Sequence, residues 1–191
     1  MNRRWDTESL PELLEHIWLE LARVDHDRDH PWRWPVLATS GARGANARVV
    51  VLRGVTRPGY ELLAFSDRRA SKVSELTHHR QAVWVFYDPR DRVQLRVSTD
   101  VRVHVDDTVV DTYWHRLPEA NRANYLSEKA PGDGLEVPGP GRVLAPGSAH
   151  QFAVLIGRME RLDWLWLREG GHRRAGFRRE GSGWTGSWLE P

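Results

Sequence analysis

The sequence predicts a mainly β (α+β) fold in which antiparallel strands form a closed or partly closed barrel. After residue 35, short β-branched or aromatic runs follow one another, glycine-bearing turns separate them, and helical periodicity is confined to a few segments. Six or more strands with few helices and short turns are the pattern of an antiparallel barrel. With 191 residues, 40% of them apolar, the chain is long enough for one domain with a substantial core.

The first predicted element is a helix at about residues 9–24. Ser9-Leu-Pro-Glu12 has the form of a capping box, and a proline such as Pro11 is tolerated in the first turn. Apolar residues then recur at helical spacing up to Val24. Further helices are predicted at residues 71–79, 107–116 and 119–127.

The predicted strands occupy most of the remaining chain. They lie at residues 36–39, 47–53, 60–65, 82–87, 93–103, 152–156 and 159–167, with a weaker pair around Phe177 and at 184–188. A long loop is predicted at about residues 130–147, where proline and glycine are frequent, and loops of this length are usually functional or disordered. No internal repeat is visible, so residues 1–191 are expected to form a single domain.

The composition excludes several classes of function. The absence of cysteine rules out disulfides, a thiolate nucleophile and cysteine-ligated metal. No apolar run approaches the roughly 18 residues of a membrane span, and the charged N-terminus does not lead into a signal peptide. We therefore expect a cytoplasmic protein without a membrane partner. The histidines lack the fixed spacing of a metal site, and a net charge of +2 is too weak a field to indicate nucleic acid.

Two residue counts are unusual. The chain has ten tryptophans, and only Lys72 and Lys129 among its 28 basic residues are lysine. Because aromatic side chains dominate protein cores, packing is the better interpretation of any one tryptophan. Only the neighbourhood of Trp164 and Trp166 is retained as a candidate for ligand contact.

The stretch from Arg48 to Lys72 predicts a phosphate site. It delivers Ser66, Ser71 and Lys72 into the start of a helix, whose free N–H groups and partial positive charge favour an anion. Cationic side chains add charge-assisted hydrogen bonds. An equally compatible alternative is a solvated loop with Ser71 as the N-cap. Strand alternation places Arg48 and Arg53 on opposite faces, so one site holds both only if the strand twists or bulges.

The order and spacing of these residues resemble the pyridoxamine 5′-phosphate oxidase-like FMN-binding split barrels. The resemblance runs without a gap from Arg48 to Gln94 and includes Arg48-Val-Val-Val-Leu-Arg53, Phe65-Ser66 and Ser71-Lys72. The later part, with Phe152-Ala-Val-Leu-Ile156, is more similar to a related branch of oxidase homologues than to the vitamin enzyme itself. The resemblance implies an FMN-binding split β-barrel of antiparallel Greek-key type, with an N-terminal helix and peripheral helices.

The resemblance implies FMN as the cofactor, held by residues at matching positions. Arg48 and the backbone around Val49 and Val50 would hold the phosphate and ribityl chain, Arg53 would lie near the flavin, and Gln94 would hydrogen-bond the isoalloxazine ring. Because the flavin of this family lies between two subunits, a homodimer is also implied. The complete implied set of cofactor contacts is Arg48, Val49, Val50, Arg53, Phe65, Ser66, Ser71, Lys72, Gln94, Lys129, Trp166 and Arg173.

Two of these positions depart from the family pattern, and one has an open register. Ser71 stands where the family usually has arginine, and Lys129 stands near the usual second-subunit contact. The family has a tryptophan followed, across a Gly-Gly turn, by an arginine. Counting from one side of that turn gives Leu167 as the tryptophan position, and counting from the other gives Trp166.

The substrate side departs further from the family pattern. Where the family binds the substrate phosphate with Tyr, Arg and Ser, this chain has Tyr113, Leu117 and Asn121, with Arg116 one residue away. The late Arg-x-His pair has no histidine in place in either register, and an exposed turn is an equal interpretation of that segment. The candidate substrate contacts are Tyr113, Arg116, His172 and Arg174.

The function implied is an FMN-dependent oxidoreductase that transfers a hydride between a small-molecule substrate and the flavin, without a protein nucleophile. The alternative is a non-catalytic carrier or sensor of FMN or haem on the same barrel, which the incomplete substrate clamp favours. A nucleic-acid-binding barrel is a third hypothesis. The apolar strands around Val49–Leu52 and Phe152–Ile156 count against it, because such a barrel needs aromatic and basic residues along one strand face.

Overall fold

The computed structural model describes residues 5–42, 44–139, 143–145 and 149–191. Within these ranges the α-helices are α1 (Leu10–Arg23), α2 (Ser71–His78), α3 (Thr108–Arg116) and α4 (Glu119–Arg122). Helix α1 is confirmed with the predicted cap, since Ser9 accepts a hydrogen bond from the backbone N–H of Glu12. The predicted helix at 119–127 is shorter than expected, because α4 ends at Arg122 and a 3₁₀ turn (Ala123–Tyr125) follows it.

The strands pair into one antiparallel sheet across the described residues. They are β1 (Val36–Gly41), β2 (Gly44–Val49), β3 (Leu52–Thr56), β4 (Glu61–Asp67), β5 (Gln81–Asp88), β6 (Val93–His104), β7 (Phe152–Trp166), β8 (Arg173–Glu180) and β9 (Gly183–Leu189). The order along the sheet is β2-β1-β5-β6-β7-β4-β3, and β8 with β9 extends from the second half of β7.

The two ends of this order, β2 and β3, are neighbours in the chain. Only Val50 and Val51 separate them, so their facing ends lie within about 11 Å of each other. The sheet must therefore curl until its ends approach. No ladder joins β2 to β3 in the described part of the chain, so the barrel stays split. The predicted mainly β fold in its partly closed form is confirmed.

Two predicted strand boundaries are wrong. The predicted strand at 47–53 is divided between β2 and β3, because β2 pairs with β1 as far as Val50, whose N–H donates to the Pro35 carbonyl at 3.0 Å, whereas β3 pairs with β4. The predicted strands at 152–156 and 159–167 are one strand, β7. At their expected boundary Gly157 packs against Thr99, which a Cβ on residue 157 would approach to 3.2 Å. The glycine therefore allows a close crossing and does not end the strand.

The main core lies between the inward face of the sheet and α1. Helix α1 buries Leu13, Ile17 and Leu21 completely. Trp5 packs between Trp32 and Trp164, with ring centroids 6.2 and 5.9 Å away. The packing interpretation is confirmed for six tryptophans, which are at most 5% exposed: Trp5, Trp18, Trp32, Trp84, Trp164 and Trp166.

A smaller cluster lies on the other side of β4 and β7, beneath α3. It is built on Val110, Leu117, Phe152 and Val154. The predicted loop at 130–147 has neither helix nor strand at residues 130–139, and its residues 140–142 and 146–148 lie outside the described ranges. Within the described residues, no helix is long and apolar enough to cross a membrane.

Candidate functional site

Arg48, near the end of β2, directs its guanidinium at helix α2. Its Nη1 donates to the Thr39 hydroxyl at 2.5 Å and to the Leu37 carbonyl at 3.3 Å. Its Nη2 donates to Glu75 Oε2 at 3.0 Å. The Thr39 hydroxyl donates to the same carboxylate oxygen at 2.5 Å. Arg48, Thr39 and Glu75 therefore form a closed ring of hydrogen bonds that joins β1, β2 and α2.

Glu75 is a charged member of this ring. Burial alone would raise the pKa of its carboxyl group, but hydrogen bonds from Thr39, Asn46 and Arg48 outweigh burial and lower the pKa. The bond from Asn46 Nδ2 measures 3.0 Å. The carboxylate is consequently ionised at neutral pH. It balances the charge of Arg48 in a place where the side chains of both residues are mostly buried.

Lys72 lies beside this ring. Its Nζ donates to Ser66 Oγ at 3.1 Å, and Ser66 is buried near the end of β4. Burial and the positive charge of Arg48 together lower the pKa of the Lys72 ammonium, against the opposing effect of Asp67 and Glu75. Two cations therefore lie close enough to disfavour each other. An anion between them would stabilise both.

Helix α2 begins at Ser71, next to these cations. Ala70 occupies the N-cap position and supplies no side-chain cap, so the alternative that Ser71 is the N-cap is wrong. The first N–H groups of a helix carry partial positive charge and need partners from outside the helix. Ser71 is exposed and lines a groove of about 510 Å³ together with Gly41, Asn46 and Glu75. We call Arg48, Thr39, Glu75, Ser66, Lys72 and the start of α2 the phosphate site.

Arg53 lies apart from this site, beside an aromatic cluster. A register shift in the β3–β4 ladder makes Arg53 the extra residue of a bulge. Because of this bulge, and because Arg48 lies in β2 and Arg53 in β3, the two side chains do not follow the alternation of a single strand. Its guanidinium lies 5.6 Å from the centroid of the Phe65 ring. Its buried Nε has no hydrogen-bond partner.

Tyr125 borders the same cluster. Its ring and the Phe65 ring both pack against Phe152, with centroids 4.8 and 5.0 Å away. Burial raises the pKa of the Tyr125 phenol, and the positive charge of Arg53 opposes that rise. Arg53 and Tyr125 thus place a cation and a phenol at one edge of the aromatic cluster.

Val49 and Val50, whose backbone was expected to help hold the cofactor, differ in environment. The Val49 side chain points outward and is 59% exposed, whereas Val50 is buried. The Val50 N–H is already bonded to Pro35. A ligand at this turn would therefore have to use backbone groups other than the Val50 N–H.

Arg69 connects the phosphate site to the segment around Lys129. Arg69 holds the buried Asp67 carboxylate through Nε and Nη2, at 3.1 and 2.8 Å. It also donates to the carbonyls of Ser127, Glu128 and Lys129 at 3.0 to 3.1 Å. Lys129 Nζ donates to the Gly134 carbonyl at 2.8 Å. Lys129 is thus fixed beside the phosphate site of its own chain.

Gln94 lies on the outward face of the sheet, the face opposite the main core. Its ladder neighbours on that face are Tyr87 on β5 and Leu165 on β7. Arg174 on β8 pairs with Leu165 and binds Asp163 in a bidentate manner, at 3.0 and 2.7 Å. A groove of about 540 Å³ crosses this face and is lined by Arg96, Arg161, Asp163, Gly176, Arg178 and Ser187.

Trp166 and Arg173 lie on the inward side instead. Trp166 is 5% exposed, and its Nε1 donates to the Asp91 carbonyl at 3.1 Å. Arg173 donates to the Thr7 carbonyl at 2.6 Å and lies over the Trp188 ring at 4.6 Å. The structure therefore does not bring these two side chains to the face that carries Gln94. His172, in the turn between them, is exposed.

The expected substrate residues on α3 are not gathered around one point. The Tyr113 ring packs against Phe65 at 5.5 Å, next to the Arg53 side of the site. Arg116 is exposed at the end of the helix, and Leu117 is buried. Leu117 stands where a phosphate-binding arginine was expected, and its burial shows that this position now serves packing.

Three contributors escaped sequence reasoning as site residues: Thr39, Glu75 and Arg69. Glu75 follows Lys72 by three residues, so both project from one face of α2, and this spacing was a readable signal. The contacts of Thr39 and Arg69 depend on strand pairing and on a distant loop. No local pattern reports such contacts.

Comparison with known proteins shows what this arrangement is similar to. Residues 15–105 match the model of the pyridoxamine 5′-phosphate oxidase FMN-binding domain. A pyridoxine/pyridoxamine 5′-phosphate oxidase of Coxiella burnetii is 30% identical over 115 residues, which cover 60% of this chain and 57% of that relative. The resemblance seen in the sequence is confirmed: this part of the chain is similar to the pyridoxamine 5′-phosphate oxidase-like FMN-binding family, and the chain spans less than two thirds of the length of that relative.

Solved structures extend the likeness of fold to the rest of the chain. A pyridoxamine 5′-phosphate oxidase-related, FMN-binding protein from Nostoc punctiforme superposes with a TM-score of 0.75 at 21% identity, over 96% of this chain and 100% of that one. PhzG from Burkholderia lata, in complex with tetrahydrophenazine-1-carboxylic acid, gives a TM-score of 0.69 at 19% identity, over 100% and 97%. At these identities the superpositions establish the split-barrel fold.

Proposed function

We propose that the protein is an FMN-dependent oxidoreductase that acts on a small molecule and works as a homodimer. The observation that carries the proposal is the phosphate site. Arg48 and Lys72 meet there beside the uncapped start of α2, within the segment that matches the family's FMN-binding domain. A cytoplasmic location stays a prediction.

The residues present fit the cofactor. Lys72 Nζ has given one hydrogen bond, to Ser66, and an ammonium has three donors. Arg48 retains donors beyond the three bonds to Leu37, Thr39 and Glu75. A phosphate at this point would accept from both side chains and from the first N–H groups of α2.

Arg53 fits a role at the flavin ring. Its Nε is buried without a partner, which is costly unless a ligand accepts the hydrogen bond. Bound FMN would supply the hydride chemistry, and the chain supplies binding, orientation and electrostatics. A guanidinium held over Phe65, in surroundings of low dielectric, would stabilise negative charge on a reduced ring.

The outward face supports the homodimer. Across β2, β1 and β5 the ladders align Val49, Val36 and Val85 in one row and Ala47, Ala38 and Val83 in the next. Val49 is 59% exposed and the nearby Tyr87 is 46% exposed. A contiguous exposed apolar patch marks an interaction surface. A second copy seated there would also place its chain next to Gln94 and the 540 Å³ groove.

The substrate is proposed only as a small molecule. Buried Leu117 and exposed Arg116 leave the expected phosphate clamp incomplete, so a substrate other than a pyridoxamine phosphate ester is favoured. The same observation favours the second candidate, a non-catalytic carrier or sensor of FMN or haem on this barrel.

An absorption spectrum of the purified protein, followed by mass identification of any released ligand, tests the proposal. We expect bound FMN, or recovery of flavin absorbance after incubation with FMN. Anaerobic mixing with reduced nicotinamides, amines and alcohols should then bleach the flavin with at least one donor. Bound flavin that no donor reduces, or bound haem, would support the carrier or sensor, and protein that takes up neither ligand would refute both functions.

A further inference from the structure

Glu75 has a place in this site that the expected FMN contacts do not include. We propose that Glu75 is the positioning residue for Arg48, fixing which edge of its guanidinium faces the FMN phosphate. The inference rests on the proposed function and deepens it. It concerns the affinity for the phosphate end of the ligand, and it leaves the substrate open.

The donors of Arg48 can be assigned one by one. A guanidinium has five N–H donors in one plane. Both hydrogens of Nη1 are used, by the Leu37 carbonyl and the Thr39 hydroxyl, and one hydrogen of Nη2 is used by Glu75. The Nε–H and the second Nη2–H remain, and these two lie on one edge of the group. Two parallel N–H donors on one edge are the bidentate geometry that binds a phosphate.

The position of Glu75 decides whether its charge opposes a phosphate. Glu75 and Thr39 bind the edge formed by Nη1 and Nη2, and they are bonded to each other at 2.5 Å. A phosphate on the other edge is separated from the carboxylate by the guanidinium itself. The carboxylate therefore orients the arginine without competing for its free edge.

A further hydrogen bond, and the space left by a glycine, keep Glu75 in place. Its second oxygen, Oε1, accepts from Asn46 Nδ2 at 3.0 Å, so both carboxylate oxygens are held. At Gly41, a Cβ would come within 3.1 Å of the same Oε1, so the strand end has room for the carboxylate only without a side chain there. An arginine held before the ligand arrives loses less conformational freedom on binding.

Binding of FMN and of riboflavin is measured by the quenching of flavin fluorescence. Comparison of the two affinities separates this role from a general effect on the fold. Riboflavin lacks the phosphate, so only FMN should respond to the orientation of Arg48. Glu75→Ala is expected to weaken FMN binding about tenfold, which is the size of one charge-assisted hydrogen bond, and to leave riboflavin binding nearly unchanged. Glu75→Gln keeps an acceptor for Arg48 and Thr39 and should restore most of the affinity.

Controls make each outcome decisive. Glu169→Gln removes an equal charge from an exposed turn and should leave both affinities at the wild-type values. Thr39→Val breaks the same ring from the other side with a side chain of similar shape, and should reduce the preference for FMN over riboflavin even if Glu75→Ala does not fold. An unchanged preference in these variants, or tighter FMN binding by Glu75→Gln, would overturn the positioning role alone. A wild-type protein that binds no FMN would overturn the proposed function as well.

Discussion

At the phosphate site each charged side chain already has a partner from its own chain, whereas the outward face leaves several without one. Arg48 binds Glu75 and Lys72 binds Ser66. Next to the site, Asp67 binds Arg69. On the outward face Arg161 and Arg178 stand directly opposite each other in the β7–β8 ladder, and neither has an ion pair within the described residues. Like charges placed opposite each other in a ladder are destabilising.

This difference indicates which part of the site one chain completes alone. The phosphate site is preformed, because hydrogen bonds within one chain join β1, β2 and the end of β4 to helix α2. The outward face has the exposed Val49, a groove, and two arginines, Arg161 and Arg178, without an ion pair among the described residues. The proposed second copy would supply partners for these features.

Replacing Arg48 by methionine should abolish most of the phosphate affinity. Loss of two charge-assisted hydrogen bonds is expected to raise the Kd for FMN about 100-fold. Riboflavin binding should change far less. Arg90→Met, which removes an arginine with a 73% exposed side chain, is the matched control. Equal losses for FMN and riboflavin in an equilibrium titration would contradict the assignment of Arg48 to the phosphate.

Replacing Val85 by lysine should weaken the proposed interface between two copies on the outward face. A buried, unpaired charge next to Arg96, its ladder neighbour, should weaken association of two copies about 30-fold. Sedimentation or light scattering at several concentrations measures this. Val137→Lys makes the same change at a valine that is 73% exposed in the loop, and it should leave the oligomeric state unaltered. A Val85→Lys protein that associates like the wild type would show that the interface lies elsewhere.

The pH dependence of FMN binding should report Lys72. Burial and Arg48 place the pKa of Lys72 below its ordinary 10.5, so the ammonium loses its proton earlier than a free lysine as the pH rises. The affinity for FMN should therefore be full at neutral pH and fall about tenfold as the pH rises, beginning at a lower pH than for an unperturbed lysine. A bound phosphate raises the pKa of Lys72, so the loss of FMN affinity extends over a wider range of pH. Lys72→Met should bind FMN more weakly at neutral pH and lack this alkaline step, and a wild-type profile in that variant would count against the assignment.

The partly exposed ion pair between Asp163 and Arg174 on the outward face should matter least to stability. Asp163→Asn removes the bidentate acceptor of Arg174. Since exposed ion pairs contribute little, Tm in thermal unfolding should fall by less than about 3 °C. A much larger decrease in Tm would mean that the outward face is already well packed within the single chain.

The proximity of Ser66, Ser71 and Lys72 was predictable from the sequence because they follow one another through a strand end, a turn and a helix start. Arg48 joins them only through strand pairing, and its place was implied by the family resemblance and not by local spacing. The mainly β fold and helix α1 were predictable for the same reason, since periodicity and caps are local signals.

The rest depended on long-range pairing. Whether Trp166 or Arg174 faces outward is set by the register of β7 with β6 and β8, and a shift of one residue exchanges the two faces. The division of the strand after Val50 depends on β2 pairing with β1 while β3 pairs with β4 at the other end of the sheet order. The pairing of Arg48 with Glu75 joins residues 27 positions apart through β1.

A crystal structure of the protein with FMN tests the central claim most directly. The account predicts the phosphate within hydrogen-bond distance of Arg48 Nε and Nη2 and of Lys72 Nζ, with Glu75 still bonded to Arg48. It also predicts a second copy on the outward face beside the flavin. A flavin bound elsewhere, with the ring of Arg48, Thr39 and Glu75 untouched by any phosphate, would contradict the account.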